Sequence, residues 1–204
     1  MIVIIDYGSG NVKSVHNALR VIGDDVKISN RDQDLRVATH LILPGVGAFA
    51  KCMNGLKEIG IVDSLQREVV EKGKPFLGIC VGLQALSAWG LEFGQHAGLN
   101  WIAGKVDRIN TRGSGLRLPQ IGWNEVNIQV SEPLFCGIES GATFYFVHSF
   151  HLIPEDSSVV SATTEYGVPV TASVQKGNIF GVQFHPEKSQ TVGIKVLENF
   201  LKVT

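Results

Sequence analysis

A chain of 204 residues can bury a full hydrophobic core without staples, and this length is expected to form one domain over residues 1–204. Apolar residues make up 44% and charged residues 18%, which excludes a disordered chain. Lys and Arg number 18 against 19 Asp and Glu, so the formal charge of −1 argues against a nucleic-acid partner held by phosphate neutralisation. No apolar run approaches a membrane span, and the opening one stops at Asp6 with no basic stretch ahead of it. The three cysteines, Cys52, Cys80 and Cys136, are too few and scattered for a disulfide framework or a zinc site. A reducing cytoplasmic setting is the expectation, with no metal, no organic cofactor and no membrane or nucleic-acid partner.

Ile2-Val3-Ile4-Ile5 reads as a strand buried on both faces. Gly8-Ser9-Gly10-Asn11 breaks it, and Val15, Leu19 and Ile22 then recur at helical spacing. The same handover follows His40-Leu41-Ile42-Leu43, which ends at Pro44-Gly45-Val46-Gly47, with Ile61, Leu65 and Val69 marking a helix face further on. A third unit runs from Pro75 to Ile79 and predicts a helix over Val81 to Trp89. Such alternation implies an α/β fold with a mainly parallel central sheet flanked by helices. From about Gly98 the texture changes to short alternating stretches, Lys105 to Ile109 and Glu125 to Ile128, which predict an added antiparallel β-layer in the second half. A strand over Asn178 to Phe184 and a helix carrying Val192, Val196 and Phe200 close the chain.

The chemistry concentrates in Gly78-Ile79-Cys80-Val81-Gly82, a nucleophile between two glycines where a buried strand meets a helix. A tight turn there lifts the thiol above the sheet, the helix start favours thiolate, and free backbone N–H groups can meet an oxyanion. Cys52 and Cys136 lack this context and read as buried structural cysteines. A thiol nucleophile needs a base. Among six histidines, His16 falls on a helix, His40 opens a strand and His96 sits in a glycine-flanked loop, whereas His185 follows a predicted parallel strand and is followed by Pro186-Glu187. It would share a rim with Cys80, and Glu187 could turn back to take its imidazole N–H. Gln84 lies one helical turn past Cys80, where its amide could read a zwitterionic substrate or merely face solvent. The peptide groups of Pro44-Gly45-Val46-Gly47 could complete an oxyanion hole. These residues leave room for a thiol hydrolase of another kind, or for a binding module that no longer reacts.

Pro44-Gly45-Val46-Gly47, Gly78 to Gln84 and His185-Pro186-Glu187 together resemble the triad-type (class I) glutamine amidotransferases. Asp6 to Asn11, Pro119 to Asn124 and Tyr145 to Phe150 narrow the likeness to glutaminase subunits of histidine biosynthesis, and it runs over essentially the whole chain. The resemblance implies that Cys80 attacks the glutamine carboxamide, His185 shuttles protons and Glu187 orients His185. It implies that Gln84, His148 and Ser149 hold glutamine and that Val46, Gly47 and Val81 form the oxyanion site. It further implies a heterodimer with a (βα)8-barrel cyclase, docked around Asn11, Gln120, Trp123 and Lys188, to which ammonia passes without meeting water. Trp123, between Gly122 and Asn124, is expected in a turn, as an interface anchor or folded back over the added layer. The sequence departs from the usual pattern at Gln120, where the family more often has His, at Val81 and Leu83, more often Leu and Met, and at Phe150, more often Tyr. Gln120 bears on the partner's identity, because paralogous pairs deliver ammonia to sugar nucleotides in surface-polysaccharide synthesis.

Overall fold

The computed structural model describes residues 1–8, 11–23 and 25–204, so Ser9 and Gly10 of the first glycine turn lie outside the described residues. In chain order the first half comprises β1 (Ile2–Ile5), α1 (Val12–Ile22), β2 (Val26–Ser29), α2 (Asp32–Val37), β3 (His40–Gly45), α3 (Phe49–Glu58), α4 (Val62–Leu65) and β4 (Phe76–Cys80). The helical path of α4 continues as a π-helical turn over Gln66–Glu71. Ile61, just before α4, Leu65 at its end and Val69 in the π-turn are all buried, so they share one inward face. β1, β3 and β4 are buried along their whole length, which is why they read as unbroken apolar runs rather than as alternating ones.

The second half contains α5 (Val81–Gln84), β5 (Ser87–Gly90), β6 (His96–Ala97), β7 (Ile102–Arg108), β8 (Gln120–Glu125), β9 (Asn127–Ile128), β10 (Thr143–His148), β11 (Phe150–Pro154), β12 (Val160–Glu165), β13 (Pro169–Lys176), β14 (Ile179–Val182) and α6 (Gln190–Phe200). An eight-stranded sheet runs in the order β2-β1-β3-β4-β14-β13-β12-β9. Its first five strands are parallel and its last three antiparallel. The added β-layer consists of the antiparallel pair β8 and β10 and a four-stranded sheet ordered β11-β7-β5-β6.

Two expectations change. The helix predicted over Val81 to Trp89 stops after one turn, and Ser87–Gly90 is strand. The carbonyls of Ala85, Leu86 and Ser87 are taken by the amides of Leu99, Trp101, Ile102 and Asn100, so no i−4 ladder can continue. Trp123 lies within β8, not in a turn, because Ile121 to Glu125 pair residue by residue with Val147 back to Thr143 of β10. An aromatic cluster welds this pair to the main sheet: Phe184, just past β14, stacks on Phe144 at 4.1 Å between centroids and meets Phe146 and Phe135 at 5.9 and 6.4 Å.

Candidate active site

Parallel register decides which strand ends meet. Gly45 of β3 pairs with Cys80 of β4, and Val182 of β14 pairs with Ile79. The Val46-Gly47 segment, Cys80 and the chain leading to His185 therefore emerge side by side from the carboxyl rim. Cys80 itself is strained, at φ 56° and ψ −109°. The flanking glycines matter chiefly for close approach. A Cβ on Gly82 would meet the Leu43 carbonyl oxygen at 1.9 Å, and one on Gly78 would meet that of Gly82 at 2.5 Å. Only a bare backbone lets α5 sit this close to β3 and β4. With α5 so short, the buried thiol owes its place at the rim to the elbow itself more than to a long helix behind it.

His185 is strapped rather than perched. Its N–H donates to the Tyr145 carbonyl at 2.9 Å, and its carbonyl accepts from Ser189 Oγ at 2.7 Å. Ser189 Oγ in turn accepts from Tyr145 N at 3.0 Å, so β10 and the start of α6 fix one loop. His185 Nδ1 donates to Glu187 Oε1 at 2.8 Å, with both side chains almost fully buried. That bond leaves Nε2, which is buried without a hydrogen-bond partner, as the nitrogen still open to a contact. Burial opposes a charge on the ring, but the neighbouring Cys80 and Glu187 outweigh it and His185 is pushed up to about 9.

A cavity of about 520 Å³ opens beside these groups, lined by Val46, Gly47, Cys80, Val81, Gln84, Glu92, His148, Ser149, His185 and Lys188 among others. All the expected substrate and oxyanion residues are therefore brought together on one cavity. Gly47 adopts φ 91°, a conformation that glycine takes freely. Gln84 is not a solvent-facing glutamine: it is buried, and its Nε2 donates to the Phe150 carbonyl at 2.9 Å and Gln183 Oε1 at 3.1 Å. His148 donates from Nδ1 to the Phe150 carbonyl at 2.8 Å, and burial pushes it down to about 4, so it stays neutral. Two contributors escaped the sequence reading. Glu92 adds a carboxylate to the cavity while its Oε2 accepts from Phe49 N at 2.9 Å. Gln183 donates from Nε2 to Cys80 Sγ at 3.6 Å. Glu92 follows a short strand where a helix was predicted, and Gln183 carried no signal beyond its closeness to His185.

The residues expected at a partner face separate. Ile121 and Trp123 point outward from β8 and stay about half exposed or more, at 63% and 48%. Trp123 stands edge-on to Tyr145 at 6.1 Å, and Lys188 Nζ lies 5.7 Å from the Tyr145 ring centroid. Gln120 is instead buried, because strand alternation turns it to the opposite face from Trp123, beside His148 in the pairing register. Asn11 reaches inward: its Nδ2 donates to Glu187 Oε1 at 2.9 Å, the oxygen that also serves His185. Cys52 is buried as expected, whereas Cys136 is exposed, correcting its reading as a buried cysteine. Among the described residues no helix is long and apolar enough to cross a membrane.

The profile described as glutamine amidotransferase class-I matches residues 3–203. The chain belongs to the class I glutamine amidotransferases. It is an enzyme subunit of the kind that hydrolyses glutamine. Among curated relatives it is 47% identical to the imidazole glycerol phosphate synthase subunit HisH of Syntrophotalea carbinolica, with 98% of each chain covered. It is 44% identical to the protein of that name from Pelagibacter ubique, with 99% of each covered. Among solved structures, a glutamine amidotransferase superposes with a TM-score of 0.76 at 22% identity, covering 98% of this chain and 97% of that one. A PurLQS structure from Thermotoga maritima gives 0.75 at 21%, covering 98% and 96%. These two likenesses establish the shared class I amidotransferase fold.

Proposed function

We propose that this subunit hydrolyses glutamine through a Cys80–His185–Glu187 triad and passes the ammonia to a (βα)8-barrel cyclase, within imidazole glycerol phosphate synthase of histidine biosynthesis. The observation that carries the reading is the His185 geometry: Nδ1 bonded to Glu187 Oε1 at 2.8 Å, Nε2 free, and the strained Cys80 beside it. The relatives named as subunits of that synthase, matched end to end, supply the pathway.

Cys80 Sγ gives its proton to His185 Nε2 and attacks the carboxamide carbon, which places negative charge on the carbonyl oxygen. The amides of Val81, at the start of α5, and of Gly47 offer themselves to it. Imidazolium His185 then gives a proton to the departing nitrogen, so ammonia leaves and a γ-glutamyl thioester remains. Neutral His185 next takes a proton from water, which attacks the thioester carbon; the C–S bond breaks, glutamate leaves, and His185 returns the proton to Cys80 Sγ. Glu187 holds the ring in the tautomer both steps require. Gln84 Oε1 and the Glu92 carboxylate suit the substrate α-ammonium, while the backbone at His148 and Ser149 borders the rest of the amino acid. The outward face of Ile121, Trp123, Tyr145 and Lys188, adjoining the cavity through Lys188, fits the cyclase. Cys80→Ala tests the scheme in the assembled pair. Glutamine-dependent product should fall by roughly 10⁴-fold while product made from added ammonia stays at the wild-type rate. More than a few per cent of glutamine-dependent turnover in that variant removes the proposal.

A further inference from the structure

We infer that Gln183 is a thiol-positioning residue, whose side-chain amide holds Cys80 Sγ at the reacting position and is itself oriented by Gln84. The inference rests on the reading of Cys80 as nucleophile. Gln183 is the first residue beyond β14 and has no exposed surface, and its backbone N–H is anchored on the Ala172 carbonyl at 2.8 Å. A primary amide hidden from water must place both its donor and its acceptor sides. Here the acceptor takes Gln84 Nε2 at 3.1 Å and the donor goes to Cys80 Sγ at 3.6 Å. Neither group is free to turn. Gln84 spends its other proton on the Phe150 carbonyl at 2.9 Å, which leaves its oxygen to accept from a ligand in the cavity.

The chain Phe150–Gln84–Gln183–Cys80 thus links the substrate-reading amide to the sulfur by two hydrogen bonds. An N–H aimed at sulfur favours the charged over the neutral form, since a hydrogen bond to an ionised acceptor is stronger than one to a neutral acceptor. It does so without adding a second cation beside His185. It also restrains the rotation of Sγ, for which the strained Cys80 backbone alone offers no fixed direction. A residue that merely filled space behind the elbow would need no donor at this atom.

Iodoacetamide alkylation of Cys80, followed across pH by mass spectrometry of its peptide, tests the inference on the full chain carrying Cys136→Ser. In Gln183→Met, of similar shape but without the donor, the pH of half-maximal rate should rise by about one unit. Gln183→Glu, which sets an acceptor against the sulfur, should move it further the same way. Gln183→Met should also lower kcat in the assembled pair while KM changes less than about twofold. Should both Gln183 variants fail to fold, Gln84→Met releases the same amide and should give an upward shift of its own. Profiles that superimpose on wild type, with only a lower melting temperature, reduce Gln183 to packing and overturn the inference. Failure of the underlying reading shows separately, as glutamine hydrolysis that survives Cys80→Ser whatever the alkylation profiles do.

Discussion

Glu68 and Glu187 are two carboxylates hidden from water at opposite ends of the same sheet, and they are treated in opposite ways. Glu68 lies at the amino end, ahead of β4, where Lys72, Lys74 and Arg67 approach its oxygens at 2.8, 3.1 and 3.2 Å. Burial alone would raise its pKa, but these cations outweigh it and hold the carboxyl down at about 2. Glu187, at the carboxyl rim, pairs among the described residues with no cation except His185. Its Oε1 serves both His185 and Asn11, and its Oε2 is buried without a partner. Buried polar groups left unsatisfied cost stability, and His185 Nε2, His148 Nε2 and Gln120 Oε1 are in the same state, as are atoms of Tyr7, His96, His151 and Gln175. One end of the sheet spends its charges on holding the fold; the other leaves buried polar atoms without partners.

The comparison breaks if changes at the two ends have similar effects. His185→Asn should cut glutamine-dependent turnover in the assembled pair by roughly 10³-fold or more, since it removes the proposed proton carrier. Glu187→Gln should be milder, about 10²-fold, because Asn11 still holds its side chain while the orienting charge is lost. Glu68→Gln should leave turnover unchanged and lower the melting temperature, measured by circular dichroism. Equal losses of turnover at Glu68 and Glu187 would erase the distinction.

On the outward face, Trp123→Ala should weaken association with the proposed cyclase partner by roughly 2 kcal/mol and leave the isolated subunit's melting temperature in place, because the indole is half exposed. Titration calorimetry beside a thermal melt reads both. A lowered melt with unchanged affinity would take the interface off this face.

The smallest effects lie in the pH dependence of stability. Glu68 titrates lower in the folded chain than the usual 4.5, so its contribution is present above that value and is lost as pH falls towards about 2. His185 titrates higher than the usual 6.5, so its contribution is present below that value and is lost as pH rises through about 9. Glu68→Gln should therefore flatten the acid limb of a melting-temperature profile, and His185→Asn the alkaline limb. Flattening of the other limb in either case contradicts these assignments.

Much of this was legible in the sequence because it depended on short-range order. The runs Ile2–Ile5, His40–Leu43 and Phe76–Ile79 are apolar on both faces, and Gly78 to Gly82 can make a close turn only with glycines where they stand. The parallel register then converts three strand ends into one site, which is why Cys80, His185, Val46 and Gly47 could be grouped without coordinates. Val81 to Trp89 was misread because its helical spacing competes with long-range bonds from Leu99 to Ile102, which no local pattern records. Trp123 was misread as a turn residue because glycine and asparagine flank it, whereas pairing with β10 decides its conformation. Gln120 and Cys136 depended on which face the chain presents, and Glu92, Gln183 and the inward reach of Asn11 depended on contacts across the fold.

The most direct test of the triad is to quench the assembled pair with acid while it turns over glutamine labelled in its carbon chain, then to isolate the Cys80 peptide. The account predicts label bound to that peptide as a thioester released by hydroxylamine, greater in Glu187→Gln if deacylation slows more than acylation, and absent in Cys80→Ala. Glutamine consumed at the wild-type rate by Cys80→Ala, or label carried by Cys52 or Cys136 instead, would contradict it.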